Sequence, residues 1–245
     1  MTFARRRALA FAILAFVGLA AIAIAITIAP KRRESSLLPR RPSAARPPLL
    51  FLTSLPLLFS DQFSLEGGSP AVKRLESRYR LVPISVTEPK ELANGGLLLM
   101  AHPLAQPAED LVALDEWVRN GGRVLLLADP ALEWPSKRPL GDPLRPAPMF
   151  MDTGLLAHWG LRLDGPDKRG PALRELGGFE VMTVSPGALS GTCSISADRL
   201  VARCNIGRGK AIVVADADFL NANGLGPRAE HNLDGVVAEL TRLEQ

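Results

Sequence analysis

Two short runs that are apolar on both faces, LLLMA at 97–101 and RVLLLA at 123–128, bracket an amphipathic stretch at 107–120. A strand with no polar face must be covered on both sides, which points to parallel strands roofed by helices. The same order runs through the chain. LLFLTS (49–54) reads as a buried strand, 69–79 as an amphipathic helix, and RLVPISV (80–86) as a strand whose Pro83 places it at a sheet edge. Further on, 152–159 reads as a helix, 179–184 and 211–215 as strands, and 230–243 as a closing amphipathic helix for which Asn232 is a candidate cap. The expected fold is α/β: a flavodoxin-like doubly wound, mostly parallel sheet, with an N-terminal transmembrane helix and a C-terminal β-hairpin. The six prolines within residues 129–150 predict an ordered loop over the carboxyl ends of the strands.

The transmembrane expectation comes from residues 8–29, bounded by Ala8 and Ala29 and free of charge. At about 1.5 Å per residue that is long enough to cross a bilayer. It exceeds the roughly 7–15 apolar residues of a cleaved signal peptide, so an uncleaved anchor is the preferred reading. Residues 30–48 (PKRRESSLLPRRPSAARPP) have no apolar period and read as an extended stalk, leaving 49–245 as the α/β domain. Nine of the 29 Lys/Arg and one of the 25 Asp/Glu lie within residues 1–48. The remainder, with 20 basic and 24 acidic residues, is mildly acidic, so the pI of about 9.4 reflects the membrane flanks and a nucleic-acid partner is not expected.

Cys193 and Cys204 flank Asp198-Arg199 symmetrically in TCSISADRLVARCNIG. A hairpin turning there by two residues sets the cysteines opposite one another, within reach of a disulfide. The competing reading is a pair of small buried hydrophobes in a reduced compartment; a bridge would suit an extracytoplasmic domain. Orientation by charge points the other way, because six Lys/Arg follow the apolar run within about 20 residues and three precede it.

Gly121-Gly122 follows a helix and precedes a strand, the reverse of phosphate-binding glycine loops, so it reads as a helix terminus. His102, Asp129, Asp216 and Asp218 each follow an apolar strand, at the edge where open α/β sheets place ligands. They are the candidate ligand- or partner-binding residues. An acid before proline also starts turns, and Asp218 can cap a following helical turn, so capping is preferred to catalysis. The strand ends MAHPL, LADPA and ADADF carry no Ser or Cys nucleophile, and no GxGxxG, Walker A or HExxH occurs, so no catalytic residue, metal or cofactor is assigned.

Taken together, LLLMAHPLAQPAEDLVALDEWVRNGGRVLLLADP, PLGDPLRP, LLAHWGL (155–161) and GRGKAIVVADADFLNAN resemble the GldG-like and DUF4350-like auxiliary domains found beside bacterial ABC transporters. That resemblance implies a glutamine-amidotransferase-like fold without a nucleophile. It also implies a non-catalytic role beside ABC permease and ATPase subunits at the bacterial inner membrane, with the globular domain in the periplasm. A metal-assisted hydrolase using the same carboxylates, or a purely structural envelope protein, are the alternatives.

Overall fold

A computed structural model describes residues 38–58, 68–139, 141–222, 224–226, 229 and 231–245. The apolar run 8–29 lies outside them. Among the described residues no helix is long and apolar enough to cross a membrane.

The elements, in chain order, begin with β1 (Pro48–Thr53), α1 (Pro70–Glu76), β2 (Arg80–Pro83), α2 (Pro89–Leu92), β3 (Leu97–Ala101), α3 (Ala108–Arg119) and β4 (Arg123–Leu127). There follow α4 (Leu155–His158), β5 (Leu161–Asp164), β6 (Pro171–Leu176), β7 (Phe179–Val184) and β8 (Ala188–Gly191). The chain closes with β9 (Ser194–Ile195), β10 (Val201–Ile206), β11 (Gly209–Val214) and α5 (Asn232–Leu243). The central sheet has the order β2-β1-β3-β4-β11-β10-β9. Its first five strands are parallel and the last two antiparallel. Two ribbons, β5-β8 and β6-β7, stand apart from it. The chain is thus mixed α/β with a mostly parallel central sheet.

Alternation along the central strands divides the core into two layers. Leu49, Phe51, Leu99, Leu125 and Leu127 meet Val72 and Leu75 of α1 and Val236 and Leu240 of α5. Leu50, Leu52, Leu98, Leu126 and Val213 meet Leu114 and Val118 of α3 and Leu156 of α4. Helices therefore lie on both faces, which is why β3, and β4 beyond Arg123, are apolar. β2 is the edge strand that Pro83 predicts.

Gly121 ends α3 at φ +111, and the amides of Gly121 and Gly122 reach back to the carbonyls of Val118 and Trp117 at 2.9 and 3.0 Å. A Cβ on Gly122 would stand 2.3 Å from the Trp117 ring. The paired glycines are a helix terminus with a close approach, as their order in the sequence implies.

Three expectations need correction. The helix at 152–159 contracts to Leu155–His158, because Gly154 sits at φ +108 while Asp152 accepts from the Leu156 amide at 3.2 Å. The stalk does not extend to residue 48. Leu38 packs on the core, the Arg41 amide donates to Ser77 O at 2.9 Å, and the Arg41 guanidinium grips Glu244 with contacts of 3.0 and 2.6 Å. Arg74 and Arg78 donate to the carbonyls of Leu38 and Pro39. Composition could not reveal this, since Arg41 and Glu244 are 203 residues apart.

The third correction concerns the cysteine hairpin. Its register is as expected: Ala202 faces Ile195, Arg203 faces Ser194, and the next pair is Cys204 with Cys193. Those cysteines are bridged, with Cα atoms 4.9 Å apart. The turn is longer than two residues, because the Ser196 amide pairs with Val201 O and Arg199 adopts φ +60. The bridge fastens the two-residue strand β9 to the sheet edge. Replacing both cysteines by alanine should lower stability by about 3 kcal/mol in chemical denaturation, the chain-entropy value for a loop of this size. Native protein without reductant should take up no thiol reagent; labelling of either cysteine in intact protein would contradict the bridge.

Candidate functional site at the carboxyl edge of the sheet

The carboxyl ends of β3, β4 and β11 bring His102, Asp129, Asp216 and Asp218 to one edge, and all four are buried, none more than 3% exposed. Each is engaged with backbone. Asp129 accepts from Ala131 N at 2.8 Å through one carboxylate oxygen and from Ala217 N at 2.9 Å through the other. The first bond is the turn-starting cap that an acid before Pro130 predicts. The second ties the end of β4 to the end of β11.

Asp216 also uses both oxygens, accepting from Val184 N at 2.9 Å and from Phe219 N at 3.1 Å. It is therefore Asp216 that caps the short 3-10 turn Asp218–Leu220. Asp218 lies inside that turn and accepts instead from Glu133 N at 2.7 Å, across in the proline-rich loop. Glu133 in turn accepts from the Ser185 hydroxyl at 2.5 Å. The loop closes on itself at its base, where Phe150 N donates to Asp129 O at 2.6 Å and Leu132 N to Pro148 O at 3.0 Å.

His102 adopts φ +46, a left-handed conformation unusual for a residue with a Cβ. Its Nε2 lies 2.8 Å from Ala147 O, so that nitrogen carries the proton. Nδ1 is buried without a partner. Burial pushes the imidazole pKa down, against the upward pull of Ala147 O, and keeps the ring neutral at pH 7. His102 pins the far end of the proline loop as Asp129 and Asp218 pin its start.

Asn232 joins this construction without having been singled out for it. Read from the sequence as a helix cap, it is the first residue of α5 and is fully buried. Its amide accepts from Met182 N at 2.8 Å and donates to Met182 O and Phe219 O, each at 2.9 Å. Asn232 and Asp216 thus serve the outward edge of β7, at Met182 and Val184, where a neighbouring strand would otherwise be needed. No local pattern announces this, because Met182 lies 50 residues away.

The carboxylates titrate accordingly. Burial pushes Asp129 up to about 6 against the pull of the Ala131 and Ala217 amides. It pushes Asp218 to about 7, with the negative charges of Asp129 and Glu133 adding to the effect. Asp216 is raised well above the ordinary carboxylate range by burial and then by the charge of Asp129. Among the described residues, no group of three or more His, Cys, Asp or Glu is arranged to hold a metal ion. The oxygens a metal or a substrate proton would need already face amides, so the geometry matches capping rather than acid–base chemistry.

Comparison with models of known families finds no match, and comparison with curated proteins finds none either. Among solved structures, the chain is similar to the cytoplasmic protein STM1381 of Salmonella typhimurium LT2, with TM-score 0.51, 12% identity, 80% of this chain and 99% of that chain covered. It is also similar to the mmIFT52 N-terminal domain, with TM-score 0.50, 16% identity and coverages of 79% and 97%. Against the exo-β-1,4-mannosidase Op5Man5 from Opitutaceae bacterium strain TAV5 the TM-score is 0.49 at 13% identity; 81% of this chain is covered but only 36% of the mannosidase. At such identities the first two likenesses concern the fold alone, and the third carries no argument.

Two outcomes follow from the buried clamps. A carboxyl whose folded pKa is raised stays protonated in the native protein while the unfolded chain ionises near pH 4, so its stability contribution declines as pH rises towards the folded value. Asp115 and Glu244, which against the upward push of burial their arginine partners pull down, act below pH 4. His102 acts below about 6.5, in the opposite sense. Between pH 6.5 and 8 the melting temperature should therefore fall, and Asp218→Asn should flatten that slope; a rising curve would refute the assignment. Asn232→Ala, which orphans three buried backbone groups, should cost about 3 kcal/mol in denaturant titration.

Proposed function

We propose that the chain is a single-pass, membrane-anchored, non-catalytic α/β accessory domain of an ABC-type transport or surface-assembly system, with its globular part in the bacterial periplasm. The reading rests chiefly on one observation: the strand-end groups that an enzyme of this shape would use are engaged with backbone amides. Both oxygens of Asp129 and of Asp216 accept such bonds, and Asp218 accepts from Glu133 N.

Three further features support it. The uncharged run 8–29 is long enough for an anchor. The bridge between Cys193 and Cys204 suits an oxidising compartment and outweighs the charge asymmetry around that run. The parallel strands follow the order 2-1-3-4-5 of flavodoxin-like sheets, the scaffold that the resemblance to GldG-like auxiliary domains implies.

The experiment is purification of the full-length protein from its native membrane in mild detergent, with co-purifying proteins identified by mass spectrometry. An ABC permease and its ATPase should be recovered in stoichiometric amounts. Recovery of the protein alone, under conditions that keep known ABC complexes intact, would remove the transport reading.

A further inference from the structure

The residues that open the parallel strands stand along the amino edge of the sheet, where the described chain begins at Leu38. Arg80 opens β2, in register with Pro48 of β1, and Arg46 lies shortly before that proline. Arg123 opens β4, in register with Lys210 of β11. Arg208 precedes Lys210 and sets its amide on Arg119 O at 2.9 Å. In the order β2-β1-β3-β4-β11, every strand but β3 therefore begins at or beside a basic residue. At the usual strand spacing this row is about 20 Å long. Arg40, exposed on the entering segment, adds to it.

The acids of this edge are mostly spent on other cations. Glu244 is taken by Arg41, Asp115 by Arg119 and Asp234 by Arg74. Lys73 and Glu76, both exposed near the end of α1, offset each other in the count. The row itself meets only uncharged acceptors: Arg46 donates to Arg41 O, Arg123 to Glu244 O and Arg208 to Asn120 Oδ1. Like those three, Arg40, Arg80 and Lys210 have no carboxylate partner among the described residues. Against these six cations stand two uncancelled acids, Glu91 of α2 and Glu116 of α3. None of the exposed large hydrophobic residues belongs to the row.

We propose that this basic row is a docking surface for the anionic headgroups of a lipid bilayer. The proposal rests on the reading of residues 8–29 as an anchor and adds to it a contact made by the folded domain. Residues 30–37, between that run and Leu38, reach at most about 30 Å when fully extended. Leu38 and Pro39 are held at the amino edge by Arg74 and Arg78, so with the run in a bilayer this edge stays close to it. The intervening residues add Lys31, Arg32 and Arg33 against Glu34. Five of the six unpaired cations are arginines, whose forked donors match phosphate oxygens. A row of cations without an apolar centre suits headgroups, which attract by charge, better than a protein interface, which needs a buried apolar core.

The test places full-length protein in nanodiscs of phosphatidylcholine, with or without phosphatidylglycerol, each carrying nitroxide-headgroup lipid, and reads amide broadening by NMR. In the anionic discs the amides of Arg80, Asn94 and Arg208 should broaden several-fold more than those of Leu104 and Met151 at the far edge. In the zwitterionic discs that contrast should shrink. It should vanish in 0.5 M NaCl, where the Debye length is about 4 Å. The Arg40→Gln/Arg80→Gln/Arg208→Gln variant, altered only at exposed positions, should lose most of the contrast without a change in melting temperature. Equal broadening in both discs, stronger broadening at the far edge, or indifference to the triple variant would overturn the proposal. So would release of a co-purifying protein by the triple variant with lipid broadening unchanged, since the occupant would then be an acidic protein. Entry into both discs without lipid preference would remove the docking surface and leave the anchor. Failure to enter zwitterionic discs, with salt-sensitive binding to anionic vesicles that the triple variant loses, would remove the anchor and support the surface.

Discussion

The carboxyl edge of this fold is held by side chains doing the work of backbone. β7 lies outside the central sheet, yet its outward groups at Met182 and Val184 are satisfied by Asn232 and Asp216. Asp129 does the same between the ends of β4 and β11, and Asp218 between the β11 end and the proline-rich loop. Buried N–H groups left without partners cost of order 1–3 kcal/mol each. Four short polar side chains thus make it possible for the β6-β7 ribbon and a long loop to close over the central sheet without extending it.

This arrangement gives the domain two unlike ends. The amino edge is a charged clasp in which Arg41, Arg74 and Arg78 reach Glu244, Asp234 and the carbonyls of Leu38 and Pro39. Inside α5, the fully buried Glu239 pairs with Arg203 and Arg242 and accepts from Gly177 N, which ties the β6-β7 turn and β10 to the helix. The carboxyl edge buries His102, Asp129, Asp216 and Asp218 and leaves Leu104, Met149 and Met151 exposed.

Much of the frame was legible in the sequence, for physical reasons that can be named. β3 matches its expected bounds and β4 differs by a residue, because a strand covered on both faces has no polar position to blur its ends. The cysteine register followed from symmetry about Asp198-Arg199, although Leu200 turns inward and lengthens the loop. β6 went unread: Gly177-Gly178 is a two-residue hairpin turn, both at positive φ, but Arg174 and Glu175 made the preceding strand look like loop. At the candidate site the residues were found and some of their roles were not. Asp216 holds the capping position expected of Asp218, and Asn232 clamps a strand rather than a helix end, since each choice depends on partners distant in the chain.

The central claim is that the strand-end carboxylates are permanent structural acceptors rather than groups held ready for a ligand. Residue-resolved amide hydrogen exchange on the full-length protein tests it most directly, read at Ala131, Glu133, Val184, Ala217 and Phe219, the amides those carboxylates receive. The account predicts protection comparable to that of β3 and β4, with all five amides opening only as the domain unfolds. Exchange at the rate of an open loop would contradict it and return Asp129, Asp216 and Asp218 to the pool of groups free for chemistry.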